Sequence, residues 1–159
     1  MAFDVGDRVV YPHHGASVIE RRESISVMGE DREYFVLQLA DAGLVVRVPV
    51  DKAEEVGLRG VVDDEEARDV LAVLAKKTKR TPENWSRRFK NHTEMLRSGD
   101  VYQTAEVVRN LSLRKAEAHL SEAEQRMLAQ ARRLLVSELH LALGVTEEEA
   151  ARRVDEELG

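Results

Sequence analysis

Apolar positions recur in short runs along the first sixty residues and at helical spacing along the rest. Val9-Val10-Tyr11, Ser17-Val18-Ile19, Tyr34-Phe35-Val36-Leu37-Gln38-Leu39 and residues 44–50 are β-branched or aromatic stretches. They are punctuated by Pro12-His13-His14-Gly15, Gly29-Glu30-Asp31 and Asp41-Ala42-Gly43. Four or five short strands at this spacing predict a small, strongly bent antiparallel barrel. Alternation within 44–50 puts Val46 and Val48 on one face, with Val45 and Arg47 on the other.

From Asp63 onward the period changes to that of helices, with start and stop signals to match. A first helix is expected over about 65–75, with acids in its opening turn. Thr81-Pro82 predicts the start of a second, and Ser98-Gly99 its end. Asp100 with Gln103, Ser121 with Glu124, and Thr146 with Glu149 read as capping boxes for three more. The fourth carries Met127, Leu128, Ala131, Leu134, Leu135 and Leu139 as a regular buried stripe, closed by Gly144. The fold class expected is α+β. Residues 1–60 form a β domain and residues 64–159 an all-helical domain of about five helices, with the boundary near 57–64.

Composition narrows the function classes. At 159 residues, 43% hydrophobic and 34% charged, the chain is long enough to bury a core and too apolar to be disordered. It has no cysteine, which removes disulfides, thiolate metal sites and cysteine nucleophiles. No apolar run approaches the length of a membrane span. The opening Met-Ala-Phe-Asp-Val-Gly-Asp lacks the charged start and apolar stretch of a secretion signal. A cytoplasmic protein of a bacterium-like cell, with no membrane partner, is expected. His13-His14 has no third ligand at suitable spacing, and His92, His119 and His140 lie scattered without carboxylate partners. No phosphate-cradling glycine loop or nucleophile motif occurs. Neither a cofactor nor a metal is expected, and the chain does not read as an enzyme.

Charge changes the picture most. Residues 76–97 hold eight Lys/Arg (Lys76, Lys77, Lys79, Arg80, Arg87, Arg88, Lys90, Arg97) against Glu83 and Glu94, a local +6. The whole chain carries −6, so everything outside this stretch carries −12. Trp85, the single tryptophan, lies inside the basic run. Trp85, Phe89, His92 and Leu96 share one helical face, which is the pattern of a packed stripe. Trp85 also stands in the first turn, where a stripe can overhang the domain edge, with cations around it. Core or overhang is left open by the spacing. Arg47 stands opposite Val46 and Val48, and so faces either solvent or a partner. A strand at a sheet edge would also offer its backbone to another protein's strand.

Several motifs then occur in order: Val5-Gly6-Asp7-x-Val9-Val10-Tyr11-Pro12-His13-His14-Gly15, Tyr34-x-Val36-Leu37, Arg47-Val48-Pro49, Val56-Gly57-Leu58-Arg59 and Asn84-Trp85-Ser86-Arg87-Arg88. Ser98-Gly99-Asp100-Val101, Ala105-Glu106-Val107-Val108-Arg109-Asn110-Leu111 and Leu120-Ser121-x-x-Glu124-x-Arg126-Met127-Leu128 follow. Nearly end to end, the chain resembles the CarD/CdnL family of bacterial transcription regulators, particularly its actinobacterial members. The resemblance implies a Tudor-like N-terminal domain that docks on the RNA polymerase β subunit through Arg47, with Val46 and Val48 in the same strand. It implies a helical domain that touches promoter DNA at the upstream fork of the melted region, near the −10 element. Trp85 would wedge into the minor groove there, and Arg87, Arg88, Lys90 and Arg114 would hold the DNA. Two positions depart from the family pattern. Ile25 stands where close relatives carry a second basic polymerase contact, with Arg21 and Arg22 the nearby cations. Gln125 stands where a lysine is sometimes seen, so the DNA contact there does not carry over.

The resulting expectation is a monomeric, non-enzymatic regulator that stabilises the open promoter complex. Two rivals stay open at this level. One is a protein–protein adaptor with Trp85 buried; the other is an autonomous nucleic-acid binder, against which the −6 charge argues.

Overall fold

The structure, a computed structural model, describes residues 3–12, 14–39, 44–76 and 84–159. The chain divides into two compact units, Met1–Val61 and Val62–Gly159. The Thr81-Pro82 start, and Lys77, Lys79 and Arg80 of the basic run, lie outside the described residues, as does His13.

The first unit is a five-stranded antiparallel sheet: β1 (Arg8–Tyr11), β2 (Gly15–Val27), β3 (Glu30–Gln38), β4 (Val45–Pro49) and β5 (Arg59–Gly60). The strand order is β4-β3-β2-β1-β5, so the ladders among the described residues leave β4 and β5 as edges. A one-turn 3-10 helix (Val50–Lys52) follows β4. Phe3, Val9, Ile19, Phe35, Leu37, Val48, Ala53 and Leu58 fill one face as a common core. Alternation explains the choice: Phe35 and Leu37 point inward together, and Val46 and Val48 oppose them across the β3–β4 ladder.

One irregularity sets the outer face. The β2–β3 register shifts between Ile19 and Arg21, leaving Glu20 as an extra residue in β2. Because side chains alternate with period two, this single insertion moves every later residue of β2 to the opposite face. Arg21 is thereby paired with Val36, which is itself paired with Arg47 on β4. Without the bulge, Arg21 would oppose Phe35 and point at the core.

The β2–β3 hairpin ends in a two-residue loop, Met28-Gly29, between the paired Val27 and Glu30. Met28 has φ 51° and Gly29 φ 83°, the signs of a type I′ turn, whose twist matches that of the flanking strands. Glycine adopts this without strain; a methionine does not.

The second unit contains α1 (Asp64–Ala75), α2 (Trp85–Arg97), α3 (Val101–Glu117), α4 (Glu122–Leu143) and α5 (Glu147–Leu158). Each begins at a capping side chain. Asp63, Asn84, Asp100, Ser121 and Thr146 accept hydrogen bonds from the backbone N–H of Glu66, Arg87, Tyr102, Glu124 and Glu149. Asn84 is the cap of α2, which makes Trp85 the first residue of that helix. Gly144 ends α4 in the left-handed conformation with φ 68°. Leu111, Leu135 and Leu139 are fully buried in a core shared by the helices. Each such side chain contributes about 1.5–3 kcal/mol by leaving water. The N–H of Val62 donates to the buried Glu138 carboxylate at 3.0 Å, which fixes the approach to α1.

Replacing Met28 by asparagine, which tolerates positive φ, is expected to stabilise the β unit by about 0.5–1 kcal/mol. Urea unfolding followed in the full chain measures this; an unchanged midpoint would mean the turn is not strained.

Candidate nucleic-acid interface

α2 carries an apolar stripe whose far end is buried and whose near end is not. His92 and Leu96 are sealed, Phe89 is half-buried, and the Trp85 indole is 43% exposed. The stripe overhangs its own core by one turn. The indole stacks on Phe89, with ring centroids 5.0 Å apart and planes 15° from parallel. Its Nε1–H donates to Ser121 Oγ, the α4 cap, at 3.0 Å. A large ring thus stands half in water, supported from one side.

Beneath it lies a buried ionic network. Arg88 and Glu124 are 3% and 1% exposed, and they pair in a two-pronged fashion. Arg88 Nε donates to Glu124 Oε2 at 2.8 Å and a terminal guanidinium nitrogen donates to Oε1 at 3.0 Å. Glu124 also sits beside its own helix start, where the unsatisfied N–H groups favour negative charge. The hydrogen bond from Arg88 lowers the Glu124 pKa against the opposing effect of burial, and Arg114 adds to the lowering through its charge. His92 packs nearby, with Nε2 3.3 Å from the Asn110 side-chain nitrogen. Burial pushes the His92 pKa below 6.5, with the Arg88 charge acting the same way and Glu124 opposing. Among the described residues, His92 Nδ1 and Arg114 Nε are buried side-chain nitrogens with no hydrogen-bond partner.

A second charged cluster lies on the outer face of the sheet. Val36 is fully buried although Arg21 and Arg47, its cross-strand neighbours, are exposed. Glu23 closes the gap. One carboxylate oxygen takes Arg21 at 2.7 and 3.0 Å, and the other takes Arg47 Nε at 2.9 Å. The three side chains form a charged roof over the valine. The Arg47 hydrogen bond, followed by that from Arg21, lowers the Glu23 pKa. Arg22, on the opposite face, pairs with Glu33 and lies 5.6 Å from the Phe35 ring centroid.

Comparison with known proteins decides the family. The model described as "CarD, C-terminal domain" matches residues 69–155, and "CarD-like/TRCF RID domain" matches residues 3–62. The chain belongs to the CarD/CdnL family. The Bacillus subtilis (strain 168) protein named "Putative transcription factor YdeB" is 31% identical over 147 residues, covering 92% of this chain and 96% of that protein. The solution NMR structure of the 72-residue N-terminal domain of Myxococcus xanthus CarD is 32% identical, covering 37% of this chain and 79% of that one, with a TM-score of 0.32. As a CarD-family member the chain is a transcription regulator. Among the described residues no helix is long and apolar enough to cross a membrane.

The expected residues separate in the structure. Trp85, Arg87 and Lys90 are all exposed in the first two turns of α2. Arg88 is a correction: its guanidinium is enclosed and already paired with Glu124, so it is no surface grip for phosphate. The spacing held this signal, since 85, 88, 92 and 96 fall on one helical face. Arg114 is half-buried in the last turn of α3 and leans on the same network. Arg47 is exposed on the edge strand β4, as expected from alternation. Val48 is a second correction, because its side chain is 1% exposed and belongs to the core; Val46 packs against that core half-buried. Sequence reasoning finds Arg21 only as a cation near Ile25, and it does not find Glu23 at all. Ser121 and Glu124 were legible only as a helix cap.

Arg88→Ala leaves a buried carboxylate unpaired and is expected to cost about 3–5 kcal/mol. Arg87→Ala should cost almost nothing; equal losses in urea unfolding would contradict the buried pair. The His92 effect has a definite sign. The unfolded chain takes up a proton near pH 6.5 while the folded imidazole stays neutral, so stability is full above 6.5 and falls as pH drops below it. Glu124 adds a further loss below its ordinary 4.5. His92→Gln is expected to flatten the stability profile between about pH 7.5 and 5.5. An unaltered slope would assign that dependence to other groups.

Proposed function

We propose that this chain docks through its β unit on the RNA polymerase β subunit and stabilises the open promoter complex without catalysing a reaction. Trp85 wedges into the minor groove at the upstream edge of the bubble, near the −10 element. The observation that carries this reading is the half-exposed indole at the first residue of α2, followed along the helix by exposed Arg87 and Lys90. Those two cations neutralise backbone phosphates near the ring, and Arg114 contributes positive charge from α3. Arg88 acts from below by holding α2 in place.

Magnitudes make the binding conditional on docking. A ring stacked on a base is worth roughly 1–3 kcal/mol. Inserting a wedge into intact duplex costs a few kcal/mol of unstacking, much of which is already spent where polymerase has begun to melt the DNA. A chain at −6 is repelled by naked duplex at long range. A docked β unit offsets this by raising the local concentration of the helical unit to roughly the millimolar range. On the polymerase side, exposed Arg47 and β4, an edge strand among the described residues, supply the charge and backbone groups for contact.

Trp85→Ala is expected to preserve polymerase binding while shortening open-complex lifetime by roughly tenfold, the loss of one stacking contact. Arg47→Glu should do the reverse, weakening polymerase affinity with the helical unit still folded. Pull-down titration on the β subunit and competitor-challenge decay of promoter complexes measure the two. A Trp85→Ala lifetime equal to wild type would remove the wedge.

A further inference from the structure

We propose that Ser121 is a positioning residue for Trp85, holding the indole in a set orientation before it meets DNA. The proposal rests on the wedge reading above. The Ser121 hydroxyl stands at the junction of two helices and has one donor and two acceptor sites. It accepts the Glu124 backbone N–H at 3.1 Å, which caps α4. It accepts the indole N–H of Trp85 at 3.0 Å. Its own proton points to Glu124 Oε1, 3.5 Å away. Both acceptor sites are filled, one by the cap and one by the wedge.

These contacts close a ring through the molecule. Trp85 bonds Ser121, which bonds Glu124; Glu124 holds Arg88, three residues along the same helix as Trp85. The side chain of tryptophan has two rotatable bonds. Stacking on Phe89 fixes the tilt of the ring plane, and the hydrogen bond fixes the rotation within that plane. A ring constrained twice, yet 43% exposed, loses its rotamer freedom when the chain folds and not when the wedge enters. Preorganisation of this kind strengthens binding without adding a contact to the ligand. A serine serving only as a helix cap needs no indole; the shared oxygen is what ties the wedge to the frame.

Trp85 is the sole tryptophan, so time-resolved fluorescence anisotropy of the full chain reports this ring alone. Ser121→Gly removes the acceptor, and glycine remains a tolerable helix cap. The expected result is a larger fast depolarisation of Trp85 at an almost unchanged melting temperature. Open-complex lifetime should fall roughly three- to tenfold, the span of one net hydrogen bond. Ser121→Thr, which keeps a hydroxyl, should restore both. Combined with Trp85→Phe, which has no ring N–H, Ser121→Gly should shorten the lifetime no further. Anisotropy identical to wild type overturns the proposal, as does greater ring motion with an unaltered lifetime. If Trp85→Ala itself leaves the lifetime intact, the wedge fails and this role with it, while the anisotropy still shows whether the contact exists. Should Ser121→Gly not fold, hydrogen exchange of the wild-type Nε1–H decides: slowed exchange supports the contact, and exchange as fast as free indole overturns it.

Discussion

The helical unit depends on one enclosed ion pair. Arg88 and Glu124 come from helices that both pack on α3, and their two parallel hydrogen bonds, together with that from Trp85 to Ser121, bind the start of α2 to the start of α4. Enclosing two charges costs several kcal/mol apiece, and only near-ideal geometry with further hydrogen bonds recovers it. Here the recovery includes the α4 N-terminus, the neighbouring Arg114 charge and the Ser121 hydroxyl. An apolar pair of equal volume could serve stability as well. What the ionic pair adds is direction, because a guanidinium and a carboxylate meet well in few orientations. The rotation of α2 about its axis, and hence where Trp85 points, follows from that requirement.

The two units meet charge in different ways. In the helical unit an acid and a base are enclosed next to the foot of an exposed ring. In the β unit an acid lies in the open between two bases and seals a valine. Exposed pairs of this second kind contribute little to stability, since solvent competes for every hydrogen bond. Their value lies in order: Glu23 holds two long side chains in one register across three strands.

Much of this was legible in the sequence, and the part that was not has a physical reason. Helix starts depend on side chains within three residues of the cap, so Ser121 and Thr146 announced theirs from local chemistry alone. The overhang of Trp85 could be raised from its place in the first turn but not decided there. Period gives a residue its face; it does not say where the neighbouring core stops. In the sequence Arg88 reads with Arg87 and Lys90, because all three are cations in one run. Its partner lies thirty-six residues away, at a distance where composition carries no pairing information. Yet 124, 127, 131 and 135 also fall on one face, and an acid at the head of a buried stripe implies an enclosed cation. The bulge at Glu20 left no trace, since a one-residue slip changes neither composition nor alternation on either side of it.

That slip has a consequence for recognition. By moving Arg21 beside Arg47 it ensures that neither presents a vacant cation. A carboxylate that takes the Nε–H of Arg47 must trade places with Glu23, which keeps its hold on Arg21. The number of ion pairs is then the same before and after contact, and few counterions leave. An encounter governed by such an exchange gains selectivity from shape, and added salt weakens it less than two bare arginines would suggest.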